Sequence, residues 1–134
     1  MTRARIESIS PSLIVSNVTQ TIAFYREKLG FETMYEQPEG DPFFAIVRRD
    51  GVMIFLKAHG SVEPMPNCSR HPWIKWDAYV YVPDPDALAA EFAGNGLEFH
   101  KPLTITSENL RGFEVRDPDG YVLFFGRPYQ ERIL

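Results

Sequence analysis

Apolar positions along this chain follow two different periods, and the order of those periods repeats. From Pro11, the run PSLIVSN puts Leu13 and Val15 on one side and Ser12 and Ile14 on the other, as a strand with two unlike faces does. VTQTIAFYREKLG follows, with Val18, Ile22, Tyr25 and Leu29 at the spacing of one helix face. Asn17 predicts an N-cap with Gln20 as its capping-box partner, and Gly30 predicts a left-handed stop. From Asp77 the same order returns: DAYVYVPD reads as a strand, Asp84 caps, Pro85 takes the first helical position, Leu88 and Phe92 share a face, and Gly94 or Gly96 ends the helix. Three extended runs follow each helix: FETMYEQ, FFAIVRR and GVMIFLK in the first half, LEFHKPL, GFEVRD and GYVLFFG in the second.

Each half is therefore β-α-β-β-β. One such unit has an apolar sheet face and a single helix, so its core is incomplete until a second unit joins it. The predicted fold is α+β: two β-α-β-β-β repeats, about 9–57 and 76–127, form a curved, mainly antiparallel sheet cup with helices on the outer face. A connector of about 58–75, rich in Pro, Ser, Asn and Gly and without periodicity, joins them in a single domain, 1–134.

Composition narrows the function. With 134 residues, 44% hydrophobic and 24% charged, the chain is long enough for a real core, and its formal charge of -4 offers no basic tract for phosphates. Nucleic acid is not an expected partner. No run approaches the roughly 18 apolar residues of a membrane helix, and no apolar segment follows the N-terminal arginines as in a signal peptide, so a cytoplasmic protein without membrane contact is expected. Cys68 is the only cysteine, which excludes an internal disulfide and a cysteine metal cluster. The Asn17-Val18-Thr19 triplet matches a glycosylation acceptor, without the secretion signal that would give it meaning.

The duplicated unit, the helix endings LGFE and NGLEF, and the RDPDG turn before the last strand resemble the vicinal oxygen chelate superfamily across roughly residues 9 to 127. That superfamily includes glyoxalases, extradiol dioxygenases, fosfomycin-resistance enzymes and bleomycin-resistance proteins. Its enzymes bind a divalent metal through His, Gln or Glu near the start of each first strand and in the middle of each last strand. Those places hold Ser10 and Asp77, then Phe55 and Phe124. The resemblance thus implies no metal and no cofactor, and it lies nearest the bleomycin-resistance subgroup through AYVYV, GFEVRDPDG and FAIVRRDGVMIFL. It implies a homodimer with exchanged halves that sequesters a small cationic or aromatic molecule. SENLRGF, with Leu110 and Arg111 where the subgroup carries tryptophan beside glycine, leaves the ligand open. The rival within the superfamily is a metal-dependent lyase, isomerase or dioxygenase with the atypical ligand set Asp77, Glu114 and His71.

Strand alternation assigns faces independently of the family. Ala78, Val80 and Val82, Ile54 and Leu56, Leu123 and Phe125, and Phe113 and Val115 face the helices; Asp77, Tyr79, Tyr81, Met53, Phe55, Val122, Phe124 and Glu114 face the cup. The candidate ligand-binding residues are Ser12, Phe55, His71, Trp73, Asp77, Tyr79, Tyr81, Glu114 and Phe124. Rings stack on a flat ligand, carboxylates orient a cation, and His71 and Trp73 lie on a connector placed to fold over the cup. The tail RPYQERIL reads as a surface arm or an exchange contact.

Overall fold

Asn17 does what its position predicts: its Oδ1 accepts the Gln20 N–H at 2.9 Å, and Gly30 closes the same helix at φ 71°. The capping contact is with the Gln20 main chain. In the second half Asp84 Oδ1 accepts the Ala87 N–H at 3.1 Å ahead of Pro85. The computed structural model describes residues 2–130, so the last four positions of the tail lie outside the described residues. The chain order is β1 (Ser12–Ile14), α1 (Val18–Leu29), β2 (Glu32–Gln37), β3 (Phe44–Arg49), β4 (Val52–Lys57), α2 (Asn67–Arg70), β5 (Ala78–Tyr81), α3 (Pro85–Gly94), β6 (Lys101–Ile105), β7 (Leu110–Arg116) and β8 (Val122–Pro128).

The two halves build matching open sheets, β1-β4-β3-β2 and β5-β8-β7-β6. In each, the first strand runs parallel to the last and the other pairs are antiparallel. Two details differ from the sequence reading. The connector carries the short helix α2, and β6 begins at Lys101, because the chain leaving α3 first turns back, with the Leu97 N–H bonded to the Phe92 carbonyl and Leu97 buried.

One helix backs each sheet, and the buried helix-side residues of both halves merge into one core that includes Leu13, Tyr25, Leu56, Phe92, Phe113 and Phe125. Polar contacts tie the halves together on that side. Tyr25 Oη donates to Asp117 Oδ2 at 3.1 Å, and Arg49 grips both Glu91 oxygens at 2.6 and 2.8 Å while donating to the Leu29 carbonyl. The Arg49 guanidinium also lies 5.8 Å from the Phe92 ring centre, so its planar fork is held on two sides. The opposite faces carry separate ring groups, Tyr35, Phe44 and Phe55 on the first sheet and Trp76, Tyr79, Tyr81 and Phe124 on the second. None of the helices among the described residues is long and apolar enough to cross a membrane.

Candidate functional site

The concave face of the second sheet is built around Phe124. Its ring lies flat across the neighbouring strands, and two glycines make that possible. A Cβ on Gly112 would meet the Phe124 Cζ at 2.5 Å, and one on Gly126 would meet its Cε2 at 2.5 Å and the Arg111 carbonyl oxygen at 2.6 Å. A glycine inside a strand marks such a close approach. Phe124 is only 1% exposed because Trp76 covers it: the two rings stack at 4.6 Å and 24°. The indole N–H donates to Glu114 Oε2 at 3.0 Å, and Tyr79 meets the indole edge-on at 5.4 Å.

Tyr79 and Tyr81 continue this surface, stacked on each other at 4.2 Å. Tyr81 is 72% exposed, whereas the Tyr79 hydroxyl is buried with no hydrogen-bond partner. Burial pushes the Tyr79 phenol above its ordinary range, and Tyr81 beside it adds to the shift. A buried hydroxyl without a partner is costly, which makes it an acceptor or donor in need of a group from outside.

The structure thus brings Tyr79, Tyr81, Glu114 and Phe124 together, and it adds Trp76, which stands just beyond the connector and is not among the ligand-binding residues expected from the sequence. The available signal was the pair of strand glycines Gly112 and Gly126, which mark a close approach on this face. Phe124 and Glu114 form the support beneath Trp76, with Glu114 5% exposed and His100 Nε2 and Lys101 Nζ at 3.8 and 3.9 Å from its oxygens. Asp77 has both oxygens engaged by the main chain: Oδ1 accepts the Asn67 N–H at 2.7 Å and Oδ2 the Val122 N–H at 2.8 Å. It therefore pins α2 to the start of β8.

The remaining candidates lie elsewhere. Ser12 and Phe55 are partners in register on the first sheet, where Phe55, Phe44 and Tyr35 form a smaller ring group with spacings near 6.0 and 6.1 Å. His71 and Trp73 contact each other: His71 Nδ1 accepts the Trp73 N–H at 3.1 Å, their rings are 5.6 Å apart, and Trp73 is 84% exposed. Neither is part of the ring group around Trp76.

The four superfamily metal positions fit a metal poorly. Phe55 and Phe124 have no donor atom, and Asp77 is committed to backbone N–H groups. Among the described residues, no three His, Cys, Asp or Glu side chains gather closely enough to hold an ion, so Asp77, Glu114 and His71 do not assemble into a ligand set.

Comparisons with known proteins agree with this architecture. The crystal structure of TioX from Micromonospora sp. ML1 is similar, with a TM-score of 0.71 at 21% identity over 92% of this chain and 99% of that one. The bleomycin-binding protein from bleomycin-producing Streptomyces verticillus, complexed with copper(II)-bleomycin, gives 0.67 at 24% identity over 96% and 100%. A bleomycin resistance determinant encoded on the transposon Tn5 gives 0.68 at 17% identity over 93% and 100%. No curated protein matches the sequence. The family model for the Glyoxalase/Bleomycin resistance protein/Dioxygenase superfamily matches residues 5–125, and with the paired β-α-β-β-β sheets this chain belongs to that superfamily.

Proposed function

We propose that this protein binds and sequesters a planar, cationic or aromatic small molecule, without a metal, as a cytoplasmic homodimer. The observation that carries the reading is the prearranged ring surface of Trp76, Tyr79 and Tyr81. Trp76 is supported from behind by Phe124 and fixed in rotation by Glu114, so little ordering remains to be done when a flat ligand stacks on it. The Tyr79 hydroxyl supplies an unpaired polar group beside that surface. The formal charge of -4 favours a cation. Two similar structures hold bleomycin by name, which supports a drug-binding role and antibiotic resistance as its outcome.

A dimer is part of this reading because the two halves carry separate ring groups, one around Phe55 and one around Phe124. Each ring group covers one side of a ligand, and in a dimer the first-half face of one copy, with Ser12 and Phe55, is opposed to the second-half face of another. Exposed apolar residues that such a contact could cover are Ile6 and Ile9 on the N-terminal arm, at 91% and 92%, with Met34, Tyr35 and Phe43 on the first half. The exposed single thiol of Cys68 suits a reducing compartment.

The test is a titration of EDTA-treated protein with metal-free bleomycin and a panel of planar cations. Trp73→Phe leaves Trp76 as the only tryptophan reporter. Saturation near one ligand per chain is expected, with Trp76→Leu weakening it by roughly tenfold through lost stacking and cation contact. Sedimentation at micromolar concentration is expected to give a dimer. A panel that never saturates, or a Trp76→Leu variant that binds as the parent does, overturns the reading.

A further inference from the structure

The two halves are joined across two grooves that the internal repeat makes equivalent, and only one of them is filled. Ser12 pairs with Phe55 and Tyr79 with Phe124, so Ile14 corresponds to Tyr81, and Val52 corresponds to Tyr121. In the filled groove Tyr121 is buried, and its hydroxyl donates to the Ile14 carbonyl at 2.5 Å while accepting the Met65 N–H at 3.2 Å. Asp119 closes that rim by accepting from the Ser16 Oγ and N–H at 2.6 and 3.2 Å.

In the second groove the turn is shorter and Val52 stands where Tyr121 would be. What remains is a cavity of about 500 Å³ walled by Val80, Val82, Leu88, Phe92 and Phe125 together with Val52. That volume falls within the roughly 300–1,000 Å³ of small-molecule sites. The Val82 N–H bonds to the Gly126 carbonyl just as the Val15 N–H bonds to that of Lys57. Alternation along a strand then turns the Tyr81 carbonyl to the open sheet edge, as it turns the Ile14 carbonyl toward Tyr121. The cavity therefore has an apolar floor, a charged rim of Arg49, Asp50, Asp84 and Glu91, and in the Tyr81 carbonyl a backbone acceptor placed as the Ile14 carbonyl is for Tyr121.

We infer that this groove is a second small-molecule site that takes a neutral aryl alcohol of the phenol class, with the ring among Leu88, Phe92 and Phe125 and the hydroxyl donating to the Tyr81 carbonyl. Charge selects the neutral form. Arg49 at the groove is already paired with Glu91, and Asp50 and Asp84 on the lining disfavour a phenolate. The site is on the helix side of the sheet, apart from the ring surface of Trp76, and does not depend on the sequestering reading.

The test is a two-dimensional amide NMR titration with phenol, and with toluene as the same ring without the donor. Saturable shifts at Val52, Val82 and Leu88 are expected, with phenol binding roughly tenfold more tightly than toluene, the size of one net hydrogen bond. Val52→Tyr supplies the missing ring from within and is expected to abolish the phenol shifts and raise the melting temperature. Ala87→Leu fills the cavity from α3 and is expected to abolish them as well, so the test survives if either variant fails to fold. The inference is overturned if phenol does not saturate, if toluene binds as well, or if both filled variants still bind phenol. It is also overturned if filling the cavity dissociates a dimer, since the groove then belongs to a second copy of the chain.

Discussion

Replacing Gly112 with alanine is expected to cost about 3 kcal/mol and to lower the melting temperature by roughly 10 °C for a domain of this size. The added methyl would collide with the main-chain oxygen of Phe125 and the tip of the Phe124 ring. A ring alone can rotate away, but the carbonyl belongs to the paired strand β8 and cannot move without breaking the ladder. Rotating Phe124 also removes the support of Trp76 and strains the indole bond to Glu114. Gly126→Ala is expected to behave alike, since its methyl would meet both the Phe124 ring and the Arg111 carbonyl. Gly94→Ala is the control: nothing lies within 4 Å of its added methyl, and the site closes a helix, so a change within about 0.5 kcal/mol, or a small gain, is expected. Urea unfolding and Trp76 emission in a Trp73→Phe background measure both effects. A Gly112→Ala protein with parental stability and emission would mean that Phe124 does not lie across the glycines.

Those glycines also show what was legible in the sequence and what was not. Caps, repeats and strand parity are local: Asn17, Asp84 and Gly30 act on residues within one turn, and alternation fixes which side of a strand each residue takes. Hence the helices, the paired sheets and the concave face carrying Tyr79, Tyr81, Glu114 and Phe124 follow from the chain. Parity gives a face but not a direction on it. Phe124 belongs to the concave face yet lies flat and buried, because Gly112 and Gly126 come from two adjacent strands and Trp76, just ahead of β5, covers it. The role of Asp77 was equally invisible, since its partners, the N–H groups of Asn67 and Val122, become neighbours only once the connector folds back against the sheet of the second half. The open groove at Val52 emerges only when the equivalent place at Tyr121 is seen to be filled.

The second large effect is a pH dependence set by Asp117. This carboxylate is buried between the halves, with Oδ1 accepting the Asp119 and Tyr121 N–H groups at 3.0 Å each and Oδ2 accepting from Tyr25 at 3.1 Å. Burial raises its pKa to about 6, more than these hydrogen bonds lower it, and burial, with the Asp117 charge adding to it, also holds the Tyr25 phenol well above its usual range. A folded-state pKa above the unfolded value of 3.8 means that the native state binds the extra proton between those two limits. Stability therefore falls as pH rises from near 4 to about 6 and stays reduced above it, by about 3 kcal/mol for a two-unit shift. Asp86, Glu91 and Glu108, whose pKa values are lowered mainly by hydrogen bonds from Arg111, Arg49 and Ser107, act in the opposite sense at lower pH. They are unchanged in Asp117→Asn, so comparison with that variant isolates the buried group. Its amide oxygen keeps both N–H contacts, and its NH₂ can donate to the Tyr25 oxygen in place of the original bond. The expected result is that Asp117→Asn gains about 2 kcal/mol on the parent between pH 4 and pH 7 in urea unfolding. Asp117→Ala leaves three donors without an acceptor and is expected to be less stable than Asp117→Asn at every pH. Parallel stability curves for the parent and Asp117→Asn would show that this carboxylate titrates as an ordinary one and that the junction between the halves admits water.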